Sequence, residues 1–249
     1  MKSTLKWGAA CLVIYFVFLV VKLPAVQVLP KLQLPPEVQV SGVSGTIWNG
    51  KAQRISYLGF PVEDVEWSLS FMSLLIKDIN LEVKAGSVRQ PEQIAISGQI
   101  QFSGNHIQAD TLQTYVPADL VMMSLPLPIP LMAEGRFKVE LDTLDYDFQT
   151  GCQALTGKGQ WLNAKVAGVG KTIDLGNFNA TLGCENQQVL LNVKEPNSFG
   201  LNAQVNIAAD MKYKVDGRFK PSADLPKEVH QGAAFFGQPG KDGYYPIKF

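Results

Sequence analysis

The sequence predicts a mainly β protein: a long curled antiparallel sheet that follows an N-terminal transmembrane helix. Three observations carry this expectation. A single apolar run lies close to the amino terminus, an alternation of period two prevails from Val38 onward, and short polar or glycine-containing breaks separate the alternating stretches. The chain has 249 residues of which 46% are apolar, enough to bury a core. Lysines plus arginines number 22 and so do aspartates plus glutamates, so no charge excess points to nucleic acid as a partner. Two histidines and three cysteines, with no zinc or iron–sulfur spacing, argue against a transition-metal centre, and no cofactor is expected. An all-carboxylate calcium site stays open on composition alone.

In chain order, residues 1–6 form a short basic start with Lys2 and Lys6, and Trp7 to Val21 is an unbroken apolar run. Residues 7–23 read as the anchor. With its flanks the segment reaches roughly 28 Å as a helix, close to the ~30 Å hydrocarbon core. The basic start favours a cytoplasmic amino terminus and sends the rest of the chain across, although Lys22 and Lys31 weaken the asymmetry. A cleaved signal peptide shares these features, but Lys22-Leu23-Pro24-Ala25-Val26-Gln27 offers no small-x-small pair, so an uncleaved anchor is the expectation. Residues 24–36 read as a linker and 37–249 as the exported β-rich domain.

Within that domain Val38 and Val40 open an extended pattern, and Ile94, Ile96, Gly98, Ile100 and Phe102 alternate with mostly polar residues. Phe137, Val139 and Leu141, then Leu144, Tyr146 and Phe148, read as two further strands. So do the stretches Val189–Val193, Leu201–Ile207 and Tyr213–Phe219. Ser103-Gly104-Asn105, Asp142-Thr143, Asn197-Ser198 and Ala209-Asp210 are expected to be hairpin connections, which makes the meander antiparallel. Short amphipathic turns are expected over Ser68–Leu81 and Ala109–Leu120. The prolines at 126, 128 and 130 read as an extended edge or crossover. GTIWNGKA at 45–52 and GKGQWLNAKV at 157–166 share a Gly, Trp, Asn, Lys, Ala order, which raises an internal duplication into two similar halves.

Cys152 and Cys184 are the only cysteines outside the apolar run; in an oxidising compartment such a pair forms a disulfide, and no C-x-x-C favours metal or redox chemistry instead. His106 and His230 stand alone in sequence. Ser44 lies in Gly42-Val43-Ser44-Gly45, where a nucleophile elbow would need glycine at 46 and Thr46 stands, so a tight turn is expected. Glu63, Asp64 and Glu66, or Asp142, Asp145 and Asp147, could make an acid/base pair or a calcium site, against which alternation places them on solvated strand faces. Trp48, Trp67 and Trp161 could stack on a ligand, yet strand tryptophans usually pack across strands. No enzyme site is assembled. An apolar concave face would suit an acyl chain or a partner's strand.

The motif V-x-x-V-S-G-T-I-W-N-G-x-A at 40–52, Val65-Glu66-Trp67-Ser68-Leu69 and Leu74-Leu75 resemble the protein N family of bacterial type II secretion systems. So do LMAEGRF at 131–137, LTGKGQWLNA at 155–164 and Asp242-Gly243-Tyr244-Tyr245. The resemblance implies an inner-membrane protein of a diderm bacterium, single-pass, with its main domain in the periplasm. It implies an accessory, non-catalytic subunit whose partners are other secretion subunits and the inner membrane. The motif residues Gly42, Gly45, Thr46, Trp48, Gly50, Trp67, Gly135, Gly157, Trp161 and Gly243 are then structural. The family is similar in sheet pattern to AsmA-like periplasmic proteins, which supplies the alternative of lipid binding or lipid bridging through an apolar groove.

Overall fold

The computed structural model describes residues 2–32, 34–71, 78–124, 132–167 and 172–248, with the side chains at 2–5, 9, 10, 13 and 124 outside that description. Helix α1 (Lys2–Val21) is followed by a helical turn, Ala25–Val28, and a 3-10 turn, Leu29–Lys31. The strands are β1 (Val38–Ser41), β2 (Ser44–Gly45), β3 (Asn49–Tyr57), β4 (Phe60–Leu69), β5 (Asp78–Ala85), β6 (Ala95–Ser103) and β7 (His106–Pro117). After the short helix Ala118–Ser124 come β8 (Met132–Asp147), β9 (Gly151–Ala167), β10 (Thr172–Glu185), β11 (Gln188–Val193), β12 (Asn202–Ile207) and β13 (Tyr213–Phe219). Helix Lys227–Ala233, the 3-10 turn Ala234–Phe236 and β14 (Tyr245–Lys248) end the chain.

These fourteen strands form one antiparallel sheet in the order β1, β3, β4 and onward to β14, with β2 beside β3; the sheet does not close. Cross-strand register sorts its faces, because directly opposite residues in a ladder point to the same side. One transverse row reads Lys51, Glu66, Lys84, Ser97, Gln113, Glu140, Lys158, Thr181, Asn192, Gln204, Asp216 and Lys248, one polar residue from each of β3 to β14. The opposite face carries Trp67 and Val83, then Leu112, Leu141, Gly157, Leu182, Leu191, Val205 and Val215. Opposite charges neighbour one another on the polar face: Lys51 pairs with Glu66, and Arg54 with Glu63 at 2.7 Å. Such exposed pairs contribute less to stability than to fixing the register.

Buried side chains gather in two clusters, one over β3 to β5 and one over β9 and β10. Ala52, Val65 and Ala85 form one cluster with Val40, Ile55 and Trp67 against them. Ala164, Leu175 and Phe178 form the other with Trp161, Phe199 and Leu225. From the second cluster an aromatic ladder crosses the strands: Phe137, Trp161, Phe178, Phe199, Phe219 and Tyr245 follow one another with centroid separations of 5.2, 5.7, 6.3, 6.0 and 5.4 Å. These distances lie in the attractive range for stacked and tilted rings.

Several expectations are corrected. Asp142-Thr143 is not a hairpin: β8 runs through it, with a register shift between Leu141 and Thr143. The bulge moves the inward positions from 137, 139 and 141 to 144 and 146, so the break in period reports an irregularity in one strand. The amphipathic turn over Ala109–Leu120 is mostly β7, in which Thr111 adopts φ 56°. A bulge there separates the inward Ala109 and Leu112 by three positions, which imitates helical spacing; the helix begins only at Ala118. Ser68 and Leu69 end β4 and Asp78 opens β5, while the intervening 72–77 and the proline segment at 125–130 lie outside the described residues. The strands form one continuous sheet, in which the two segments that share the Gly, Trp, Asn, Lys, Ala order differ in setting: Trp48 precedes β3 in a turn and Trp161 lies inside β9. Helix α1 covers Lys2–Val21, beginning and ending earlier than the expected anchor at 7–23. Over the described residues alone, no helix is long and apolar enough to cross a membrane.

The disulfide between Cys152 and Cys184 forms, with the Cα atoms 5.8 Å apart and Cys152 buried. Its place has a clear reason. The last ladder pair between β9 and β10 is Thr156 with Gly183, and beyond it the strands are held by this bond and by Cys152 N donating to Gln187 O at 2.9 Å. For a separation of 32 residues the chain-entropy relation gives about 4 kcal/mol. Reducing the bond, or substituting C184A, should lower the stability of the oxidised protein by about 2–4 kcal/mol, read as a drop in urea midpoint with a somewhat steeper slope because the unfolded chain expands.

Candidate functional site

The turn at Thr46–Asn49 forms a socket for the end of α1. Thr46 N donates to Asn49 O at 2.9 Å and Asn49 N donates to Thr46 Oγ1 at 3.0 Å, so the hydroxyl and the main chain close the loop together. Gly45 precedes it at φ 80°, where a Cβ would press on Asn49 O, so glycine is required. The loop projects Ile47 and Trp48 toward the helix. Trp48 Nε1 donates to Val20 O at 2.8 Å, and Ile47 N donates to Leu23 O at 3.1 Å. Val20 O, in the last turn of α1, also accepts from Leu23 N at 3.3 Å, so the indole adds a second and shorter bond to a carbonyl at the helix end.

The socket is braced from the sheet. Trp67 Nε1 donates to Ile47 O at 3.1 Å, Leu69 N donates to Trp48 O at 2.6 Å, and Phe71 meets Trp48 edge-on at 5.0 Å between centroids. The ring of Trp67 lies directly over Gly50, leaving no room for any Cβ there. Trp48 is 8% exposed and Ala25, just beyond the helix, is fully buried. Thr46, Trp48, Gly50 and Trp67 are thus one contact unit, which a sequence motif shows only as spacing. Val20 and Phe71, which complete it, were not singled out. Val20 sits in an apolar run where every residue looks alike, and Phe71 falls in a stretch read as an amphipathic turn.

The remaining motif residues lie elsewhere. Gly42 (φ 66°) packs on Gln53 between β1 and β2, and Gly135 (φ 98°) lies on the Leu162 carbonyl at a bulge of β8. Gly157 faces the Glu140 carbonyl, Trp161 Nε1 donates to Glu134 O at 3.1 Å, and Gly243 (φ 81°) sits beside Lys220.

Candidate chemistry is dispersed. Ser44 in β2 is exposed, and His106 opens β7, five inter-strand steps or roughly 24 Å away. His230 belongs to helix Lys227–Ala233. Glu63 and Glu66 are engaged in ion pairs, and Asp64 and Asp142 are exposed. His106 does have partners: Nδ1 lies 3.3 Å from Asp145 and Nε2 3.0 Å from Asp147, while Gln108 donates to Asp145 at 2.9 Å. Asp147 accepts the main-chain N–H groups of Gln149 and Thr150 at 2.6 and 2.8 Å, closing the β8–β9 turn. Among the described residues no His, Cys, Asp and Glu cluster has the makings of a metal site.

W48F retains an aromatic ring but leaves Val20 O without the indole donor, so it should cost about 1 kcal/mol and speed proteolysis within residues 22–36. G50A should cost about 1–3 kcal/mol through overlap with Trp67, read by urea unfolding. The N–H groups of Thr150 and then Gln149 hold the Asp147 carboxyl below its ordinary 3.8, with burial opposing and His106 assisting. A lowered folded-state pKa means stabilisation that is complete above pH 3.8 and is lost as the pH falls through the folded value. D147N should therefore flatten the dependence of Tm on pH below that point.

Comparison with known proteins follows the same residues. Residues 36–248 match the family described as type II secretion system (T2SS), protein N, and this match includes the socket loop, both buried clusters and the disulfide. The chain is 30% identical over 258 residues to a type II secretion system protein N of Aeromonas hydrophila, covering 100% of this chain and 98% of that protein. It is 26% identical to the Vibrio cholerae protein of the same name, over 99% and 98% of the two chains, and 26% identical to that of Pectobacterium carotovorum, over 100% and 97%. No solved structure matches. By sequence along nearly its whole length, the chain belongs to the protein N family of the type II secretion system.

Proposed function

We propose that the chain is a non-catalytic, inner-membrane accessory subunit of the type II secretion system, acting through contacts with other subunits of that machine. In this reading α1 spans the membrane, Lys2 and Lys6 remain on the cytoplasmic side, and the sheet stands in the periplasm. Its 20 residues reach roughly 30 Å as a helix, the thickness of the hydrocarbon core. Phe16 and Phe18 on it are 62% and 61% exposed, an apolar surface that suits lipid. A Cys152–Cys184 disulfide fits an oxidising compartment.

The observation that carries the proposal is the socket. An apolar helix tethered by a slack linker would leave the sheet free to tumble, whereas here Trp48 bonds its last turn and Ile47 bonds Leu23 just beyond it. A subunit that must present one surface to a membrane-bound machine needs this kind of fixed orientation. The free edges of the sheet, β1 and β14, are where a partner strand could add.

Deleting residues 2–21 should move the protein from the membrane pellet to the soluble fraction. An alkaline phosphatase fused after residue 248 of the intact chain should be active. Loss of the gene should lower release of a secreted enzyme, and the tagged chain should bring down secretion subunits. Unchanged secretion together with no co-purifying subunit would exclude this role.

A further inference from the structure

We propose that the aliphatic strip at the middle of the sheet's apolar face holds the acyl chains of a membrane phospholipid; this rests on the membrane reading above and extends it to a ligand. The strip is the row Leu112, Leu141, Leu182, Leu191, Val205 and Val215, one residue from each of β7, β8, β10, β11, β12 and β13, with Gly157 of β9 between Leu141 and Leu182. Each of the six is only half-buried. One buried cluster lies over β3 to β5 and the other over the Trp161 and Phe178 part of β9 and β10, and neither includes any of these six. A contiguous apolar surface left in this state is unusual in a folded protein unless something occupies it.

Three observations identify the occupant as hydrocarbon. First, these central strands are paired on both sides, so their main-chain ladders are already occupied by neighbouring strands. A peptide laid across it would bury its own amides without partners, at about 1–3 kcal/mol each, whereas an acyl chain brings no polar group. Second, charge is confined to the opposite face. Glu140, Lys158 and Asp216 stand on that side, one position from Leu141, Gly157 and Val215. Third, the strip is continuous with the membrane end of the molecule. The row extends through Val83 to Trp67, whose indole holds Ile47 in the socket that also grips Val20 of α1. From β4 to β13 there are nine inter-strand steps, roughly 43 Å. Half the hydrocarbon core is ~15 Å, so the row has room for more than one chain laid end to end.

The test uses the full chain in vesicles of phosphatidylethanolamine and phosphatidylglycerol, doped with a phosphatidylethanolamine whose acyl chain carries a diazirine. After illumination, adducts are mapped by peptide mass spectrometry. The proposal expects adducts at Leu112, Leu141, Leu182 and Leu191, in addition to α1, with none at Gln113, Glu140, Lys158 or Thr181. L182D should lower labelling of the strip about tenfold while labelling of α1 persists. Should L182D fail to fold, the contrast between the two faces of the wild-type sheet decides alone. Labelling of α1 with none on the strip, or equal labelling of both faces, overturns the proposal and leaves the membrane reading standing. Labelling of the strip without α1 upholds the lipid site and removes the membrane span. No labelling of either removes both.

Discussion

A slip of one residue in any central hairpin would carry Leu141, Leu182 or Leu191 to the side now held by Glu140, Lys158 and Thr181, because side chains alternate strictly along a strand. Register is therefore the constraint from which the rest follows, and the sequence enforces it along every strand. Opposite charges meet across β3 and β4, and turns at Gly59, Gly104 and Asn186-Gln187 fix where each hairpin reverses. The bulges at Thr111 and Leu141–Thr143 belong to the same system: they sit beside one another across β7 and β8, so that each irregularity is matched by its neighbour.

A single-layer sheet of this breadth leaves much of its apolar face with little to pack against, and stability concentrates where cover exists. In one such place, over β3 to β5, the cover comes from β1, Val43 two residues beyond it and the Trp67 ring. In the other it comes from the loop residues Phe199 and Leu225, with Phe236 edge-on to Phe219. The aromatic ladder reaches from β8 into the second of these regions, while on the polar face Arg136 stacks on Tyr115 and donates to Val88 O and Gln93 O. Partial burial shifts its guanidinium pKa down.

Much of this was legible in the residues. Alternation located β1, β6, β11, β12 and β13, and the cysteine count located the disulfide. The failures share one cause: a bulge adds a residue without ending a strand, so Leu141 to Leu144 looked like a turn and Ala109 to Leu112 looked like a helix. The role of GTIWNG was illegible for a different reason. Its meaning lies in hydrogen bonds to Val20 and Leu23, more than twenty residues away, and nothing in the local pattern of either segment names the other.

The order of the strands bears on how the molecule comes into being. From β3 to β14 every strand pairs with the one before it, so no ladder must wait for a distant partner. Loop-closure entropy is then met in small instalments, and contact order is low for an all-β chain. A polypeptide emerging from its amino terminus can add each strand to an existing template as it appears, with only the newest edge exposed at any moment. The template's first element is the Trp48 socket, so the sheet grows outward from the place where it is fastened.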